Sequence, residues 1–277
     1  MTTTDAPATT LDQTAFALEW EDWHRAHEAR RADPEGLLAV TAVHWLDQTP
    51  RRLDGVPGVW STGDDGPVVE LSADEELEQD GVRIIHRHAF GPIAERAGVT
   101  VRSGDVVIEV ARRGGQDIVR PRDPAHPYLA RFRGTPTYAP DPRWVAHGRF
   151  RPFGSPREVT VGSAAEGLQH VYAAPGEVEF ELGGEVFRLI AFNGHAPGTL
   201  TVLFTDATSG LTTYAANRSL DIAAPDAAGA LTLDFNRAVN LPCAYTDHAT
   251  CPLPPAENRL TVGIEAGEQT PLQRHRA

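Results

Sequence analysis

Two runs, Val178-Glu179-Phe180-Glu181-Leu182 and Val186-Phe187-Arg188-Leu189-Ile190-Ala191-Phe192, flank the dipeptide Gly183-Gly184. The first alternates apolar with charged residues, the signature of a strand with one buried face. A Gly-Gly joint accepts the positive backbone angles of a two-residue hairpin turn. The pattern recurs through most of the chain. Short β-type runs occur at 68–71, 82–86, 99–102, 106–110, 144–150, 159–161, 200–204, 231–235 and 260–264, with turn clusters between them. With 25 Gly and 22 Pro in 277 residues, few long helices are possible. No strand–helix–strand rhythm appears. The expected fold is mainly β, a β-sandwich or β-barrel of many short antiparallel strands with a small helical N-terminal cap. The cap is read at 14–32, where Phe16, Trp20, Trp23 and His27 share one helical face and Pro34 and Gly36 end the helix. Residues 37–46 form a mostly apolar run that suits a strand or a short helix. Residues 1–12 read as a flexible N-terminus and 13–277 as one β-rich domain, with a lobe boundary conceivable in the Pro-rich stretch near 121–142.

A net charge of −13 gives no general attraction for nucleic acid or anionic lipid. No stretch approaches the ~18 apolar residues of a membrane span. The beginning of the chain lacks the basic start and apolar run of a secretory signal, so the expected location is the cytoplasm. There is no Gly-x-Ser-x-Gly elbow, phosphate loop, dinucleotide fingerprint or His-Glu-x-x-His motif, and no cofactor is expected. The expected partner is a small-molecule ligand.

Chemistry-bearing residues concentrate near the C-terminus. Residues 234–245 and 251–260 hold one Asp, three Asn, both cysteines and four prolines in a segment too irregular for one helix or strand. Asp234 and Asn236 would share a face opposite Phe235. They can orient a substrate, with Asp234 as general base if desolvated, or satisfy loop backbone. Asn240 and Asn258 add amides for substrate binding. Upstream, Asp206, Thr208, Ser209 and Gly210 read as a turn or as part of a site. If Tyr214 and Arg218 lie on one strand they share a face, where phenol and guanidinium would make a donor pair for a carboxylate or oxyanion. The alternative is a buried Tyr beside a structural Arg–Asp pair. Arg122 is a second candidate anion holder. Cys243 and Cys251, with His248 between them, can be free packed thiols, a disulfide or part of a metal site; Cys243 can also be a nucleophile activated by His248. His86 and His88 offer a weaker pair of metal ligands.

Several of these blocks resemble a bacterial family known as domain of unknown function 1684. They include the stretch ending Trp45-Leu46, Val119-Arg120-Pro121-Arg122-Asp123, Tyr138-Ala139-Pro140-Asp141, the Asp206-to-Arg218 block and residues 234–260 with Ala266-Gly267-Glu268. The chain departs from the family pattern at Ala215 and Asn217, where Gly is usual, and at Val239 and Leu241, where Tyr and Pro are usual. A lost Gly alters what the turn backbone can do, and a lost Tyr removes a hydroxyl. The family name carries no activity.

Three functional expectations follow from the residues. The first is a cofactor-independent enzyme acting on a small anionic or carbonyl-bearing molecule by hydrolysis or by proton-transfer-driven elimination or rearrangement. In it, Arg218 and Arg122 hold the anion, Tyr214 and Asn236 donate, and Asp234 or Asp206 is the base. The second is a β module that binds a small molecule without converting it. The third is a metal-dependent enzyme using Cys243, His248 and Cys251, or His86 and His88.

Overall fold

A computed structural model describes residues 13–275; the N-terminal stretch read as flexible lies outside them. The chain is mainly β and arranged in three antiparallel sheets. Two of these belong to the first half. A four-stranded sheet runs in the order Arg51–Arg52, Val59–Gly63, Gly66–Glu70, Arg87–Ala89. A six-stranded sheet runs in the order His44–Trp45, Gln116–Arg122, Val106–Arg113, Gly98–Ser103, Leu77–Gln79, Val82–Ile84. Trp60 and Val69 from the first meet Val101, Ile108, Val110 and Val119 from the second in one buried cluster. This is sheet-on-sheet packing, each strand turning alternate side chains inward.

The second half builds a seven-stranded sheet in the order Ala230–Asp234, Val145–Gly162, Gln169–Leu182, Glu185–Asn193, Leu200–Phe204, Arg218–Ile222, Val239–Asn240. Its core gathers Phe180, Phe204 and Phe235, with ring centroids 5.5 and 5.6 Å apart in the pairs Phe180–Phe235 and Phe204–Phe235. The sheet curls until its outermost strand, Ala230–Asp234, approaches Arg218–Ile222, but no end strands pair. The architecture is therefore a sandwich and not a closed barrel.

Several strands differ from the sequence expectation. The runs at 144–150 and 159–161 are parts of one strand, Val145–Gly162, whose register against Gln169–Leu182 slips between Pro152 and Arg157. A bulge there lets proline sit in the strand without spoiling the ladder. Residues 260–264 form no strand; Leu260 N–H instead bonds Thr205 O at 2.8 Å. The apolar run 37–46 divides into a 3₁₀ turn, Leu37–Ala39, and the short strand His44–Trp45.

The N-terminal helix, α1 (Gln13–Arg31), ends with Arg30 and Arg31 in its last turn, where positive charge suits the helix dipole. It docks on the second half of the chain: the Trp20 indole N–H donates to Asn236 O at 2.7 Å, and Arg31 donates to Glu268 Oε1 at 2.7 Å. Contacts between the halves include the Gly114-Gly115 turn. Gly114 has φ +57°, and a Cβ there would stand 2.4 Å from Leu168 Cδ1.

Candidate functional site

The irregular C-terminal segment keeps its shape because side chains from elsewhere cap its carbonyls. Pro242–Ala244 form a 3₁₀ turn with proline leading. Beyond it, Tyr214 OH donates to Cys243 O at 2.8 Å, His170 Nε2 lies 2.8 Å from Thr250 O, and Asn217 Nδ2 donates to Pro252 O at 2.8 Å. Residues of a buried loop need such partners, and here they come from the seven-stranded sheet and the turn before Arg218.

This segment faces the first half of the chain across a cleft of about 240 Å³. Arg96, Arg113 and Arg120 come from the first half; His170, Tyr172 and residues of the 241–252 segment come from the second. A smaller hollow of about 170 Å³ shares Arg120, Pro242 and Ala249 with it and adds Arg122, Thr246 and His248. Strand register explains the arginines. Gln116–Arg122 pairs with Val106–Arg113 so that Arg120 stands opposite Glu109. Residues two apart on a strand share a face, so Arg122 joins Arg120.

The electrostatics are unbalanced. Arg113 binds Glu109 Oε1 at 2.6 Å, while Arg122 and Arg120 share Oε2 at 2.9 and 3.3 Å. Three guanidinium charges against one carboxylate leave a surplus of two. Arg96 adds a fourth charge, 4.6 Å from the centroid of the Tyr172 ring. Glu95 spends its two oxygens on the Gly114 and Gly115 amides, each at 2.8 Å. The Nε atoms of Arg120 and Arg122 are buried without a partner. Burial lowers the Arg120 pKa against the pull of Glu109; an arginine still keeps its proton.

His170 completes the cleft. A ring nitrogen that meets a carbonyl oxygen carries the proton, so Nε2 is the N–H and Nδ1 is left as the basic atom. Nδ1 is buried and unpartnered. Burial lowers the His170 pKa, and Arg113 and Arg96 lower it further, against the Thr250 carbonyl and Glu95. The ring is thus a neutral base at pH 7.

The residues singled out from the sequence occupy other places. Asp206 and Arg218 form a fully buried ion pair at 2.5 Å; Asp206 also accepts the Thr208 amide at 2.6 Å. Arg218 spends its other terminal N–H groups on the carbonyls of Ile264, Ala266 and Glu268, which leaves Nε unpartnered. Tyr214 lies in the turn before strand Arg218–Ile222, so it does not share a strand face with Arg218. Burial raises the Tyr214 phenol to about 12. Asp234 caps the 3₁₀ turn Phe235–Arg237 through the Asn236 amide at 3.1 Å and pairs with Arg237 at 3.1 Å. Asn236 exchanges two hydrogen bonds with the backbone of Asp141. Asn240 donates from its amide side chain to Gln269 O, and its backbone N–H donates to Glu268 Oε2. Asn258 bonds Ile190 N, Ile190 O and Leu203 O. Arg122 lines the smaller hollow beside the cleft, and Cys243 lies behind Cys251, which lines the cleft.

The residues that sequence reasoning passed over are Arg96, Arg113, Arg120, His170 and Tyr172. The readable signal was Arg120-Pro121-Arg122 beside Arg112-Arg113, a basic hairpin in an acidic chain. Their convergence with His170 depends on how the halves dock.

For metal ions, the described residues bring one group of three ligating side chains together: His24, Glu28 and Glu268, with ligand atoms within 4.8 Å of one another. Arg31 already supplies the positive charge there, bonding both Glu28 and Glu268. His248 packs its ring against His275, with ring centroids 5.1 Å apart. His86 has φ +61° and falls outside strand Arg87–Ala89, so it does not share a strand face with His88.

Residues 130–269 match the family model described as "Protein of unknown function (DUF1684)". The match contains the blocks at 138–144, 204–218 and 234–260 and excludes those at 35–46 and 119–123. Among solved structures, the chain is similar to an uncharacterized protein from Haloarcula marismortui determined by solution NMR, with 31% identity over 53% of this chain and 82% of that one and a TM-score of 0.44. No curated protein matches the chain.

Proposed function

The chain belongs to the DUF1684 family, whose description names no activity, and we propose from its site geometry that it is a cofactor-independent enzyme acting on a small anionic molecule in the cleft between its halves. The observation that carries this reading is the surplus of guanidinium charge around Glu109, beside a neutral imidazole. Arginines bind carboxylate and phosphate oxygens in pairs of hydrogen bonds and stabilise an oxyanion as it develops. Arg120, which lines both the cleft and the adjoining hollow, and Arg122, which lines the hollow, hold the anionic group. His170 Nδ1 takes a proton from the bound molecule, which places the reaction among proton-transfer-driven eliminations and rearrangements.

Phosphate, citrate and malate serve as probes, with binding read by thermal shift and by calorimetry. Arg120→Met is expected to weaken binding by about 2 kcal/mol, roughly thirty-fold. His170→Gln is expected to retain binding and lose turnover of whichever small carboxylate or phosphate compound proves to be consumed. Binding unchanged by Arg120→Met would overturn the reading. The second reading, a binding module, draws on the burial of the unpartnered His170 Nδ1, which a permanently held ligand would satisfy; it predicts tight binding of a compound recovered unaltered.

A further inference from the structure

Cys243 and Cys251 are both buried and both free. The Cys243 backbone N–H donates to Cys251 Sγ at 3.2 Å, which brings the two residues into direct contact although eight positions separate them. Ala249, Tyr214 and Leu241 pack around them. Cys251 lines the cleft together with Arg120 of the first half; Cys243 lies behind Cys251. Two cysteines in direct contact, one of them at a solvent-entered cavity, are the arrangement of an attacking and a resolving thiol.

We infer that Cys243 and Cys251 form a redox-closable dithiol in the cleft wall, converted by a small hydroperoxide into an intramolecular disulfide. The Cys251 thiolate attacks one peroxide oxygen; the O–O bond breaks, hydroxide leaves, and Cys251 becomes a sulfenic acid. The Cys243 thiol then attacks that sulfur, an S–S bond forms, and water carries off the oxygen. The sulfurs lose two electrons in all and the peroxide gains them. The contact between the two residues sets them apart: the Cys243 pKa is lowered, with its neighbour Cys251 as the largest cause, while that of Cys251 is raised. Closure is accordingly slow: attack waits for the Cys251 thiol to lose its proton. The loop between them supplies His248, Ala249 and Thr250 to the two hollows. Closing the disulfide pins this loop at both ends.

The test is direct because no Lys or Arg lies between the two residues. Trypsin releases both in one peptide, residues 238–259, after Arg237 and Arg259. Reduced full-length protein is treated with hydrogen peroxide, then alkylated and digested. The expected peptide is two hydrogens lighter, takes up no iodoacetamide, and stays joined after a further cut at Tyr245. Dithiothreitol restores two alkylation sites. Cys243→Ser is expected to leave Cys251 as a sulfenic acid trapped by dimedone. A peptide that carries sulfinic acid on either cysteine without the link, or two thiols that stay alkylatable in folded protein while free cysteine in the same tube is oxidised, would refute the inference.

Discussion

Arg218 and Asp206 show how a residue can look catalytic in sequence and act as scaffold in the fold. Both are buried, they face each other at 2.5 Å, and every donor on Arg218 but Nε has an acceptor. The pair ties strand Arg218–Ile222 to the carbonyls of residues 264–268. Removing one partner strands a charge in the interior. Asp206→Ala is therefore expected to destabilise the protein by about 3–5 kcal/mol, read as a lower urea midpoint with an unchanged slope. Anion binding should survive in whatever fraction stays folded. An Asp206→Ala protein of native stability that no longer binds phosphate would instead put Asp206 in the site.

At the scale of elements, the Gly114-Gly115 turn and the Asn258 amide both join pieces that backbone ladders leave apart. A methyl group at Gly114 meets Leu168 Cδ1 at 2.4 Å and Gln169 O at 2.8 Å, and its φ of +57° disfavours a side chain. Gly114→Ala is expected to cost about 1–3 kcal/mol and, by pushing the halves apart, to weaken phosphate binding without touching an arginine. Calorimetry on the folded variant checks the second effect. Strands Glu185–Asn193 and Leu200–Phe204 pair directly only at Phe192–Thr201 and Asn193–Leu200. Farther along, the Asn258 side chain fills the gap between them as a rung of the sheet, accepting from Ile190 N at 2.7 Å and donating to Leu203 O at 2.8 Å. Asn258→Leu removes that rung at a cost of about 1–3 kcal/mol, and hydrogen exchange should show the Ile190 amide losing protection first. Strands of this kind were legible where alternation and turn residues agreed, as at Gly183-Gly184 and around 103–105. They were illegible where pairing outran the local pattern: Val145–Gly162 carries two prolines across a bulge, and Arg218–Ile222 has only Leu220 and Ile222 as apolar residues. One half of the cleft wall comes from the irregular segment 234–260. The other half was hidden because Arg113 and Arg120 reach His170 only through contacts between the two halves, and no local period encodes those.

For the whole molecule, acid is the exposed weakness. His24, His170, His248 and His275 all have pKa values lowered from 6.5, with burial as the largest cause in each. Below pH 6.5 the unfolded chain takes up protons on these rings that the folded chain resists, so stability falls as pH drops through and below that value. Above it their contribution is complete. Thermal midpoints measured from pH 8 to pH 5 should decline on the acid side, and His170→Gln should flatten part of the decline. Charge also sets how the molecule meets its ligand. The chain carries −13 in total while its cleft holds a local excess of guanidinium. An approaching anion is therefore repelled at long range and captured only within the last few ångströms. Salt screens the distant repulsion over a length of about 10 Å at 0.1 M and reaches the buried arginines much less. Stopped-flow mixing should accordingly show association with small anions speeding up on the first additions of salt, the reverse of an electrostatically steered encounter, so that the protein admits its ligand faster in a saline medium than in a dilute one.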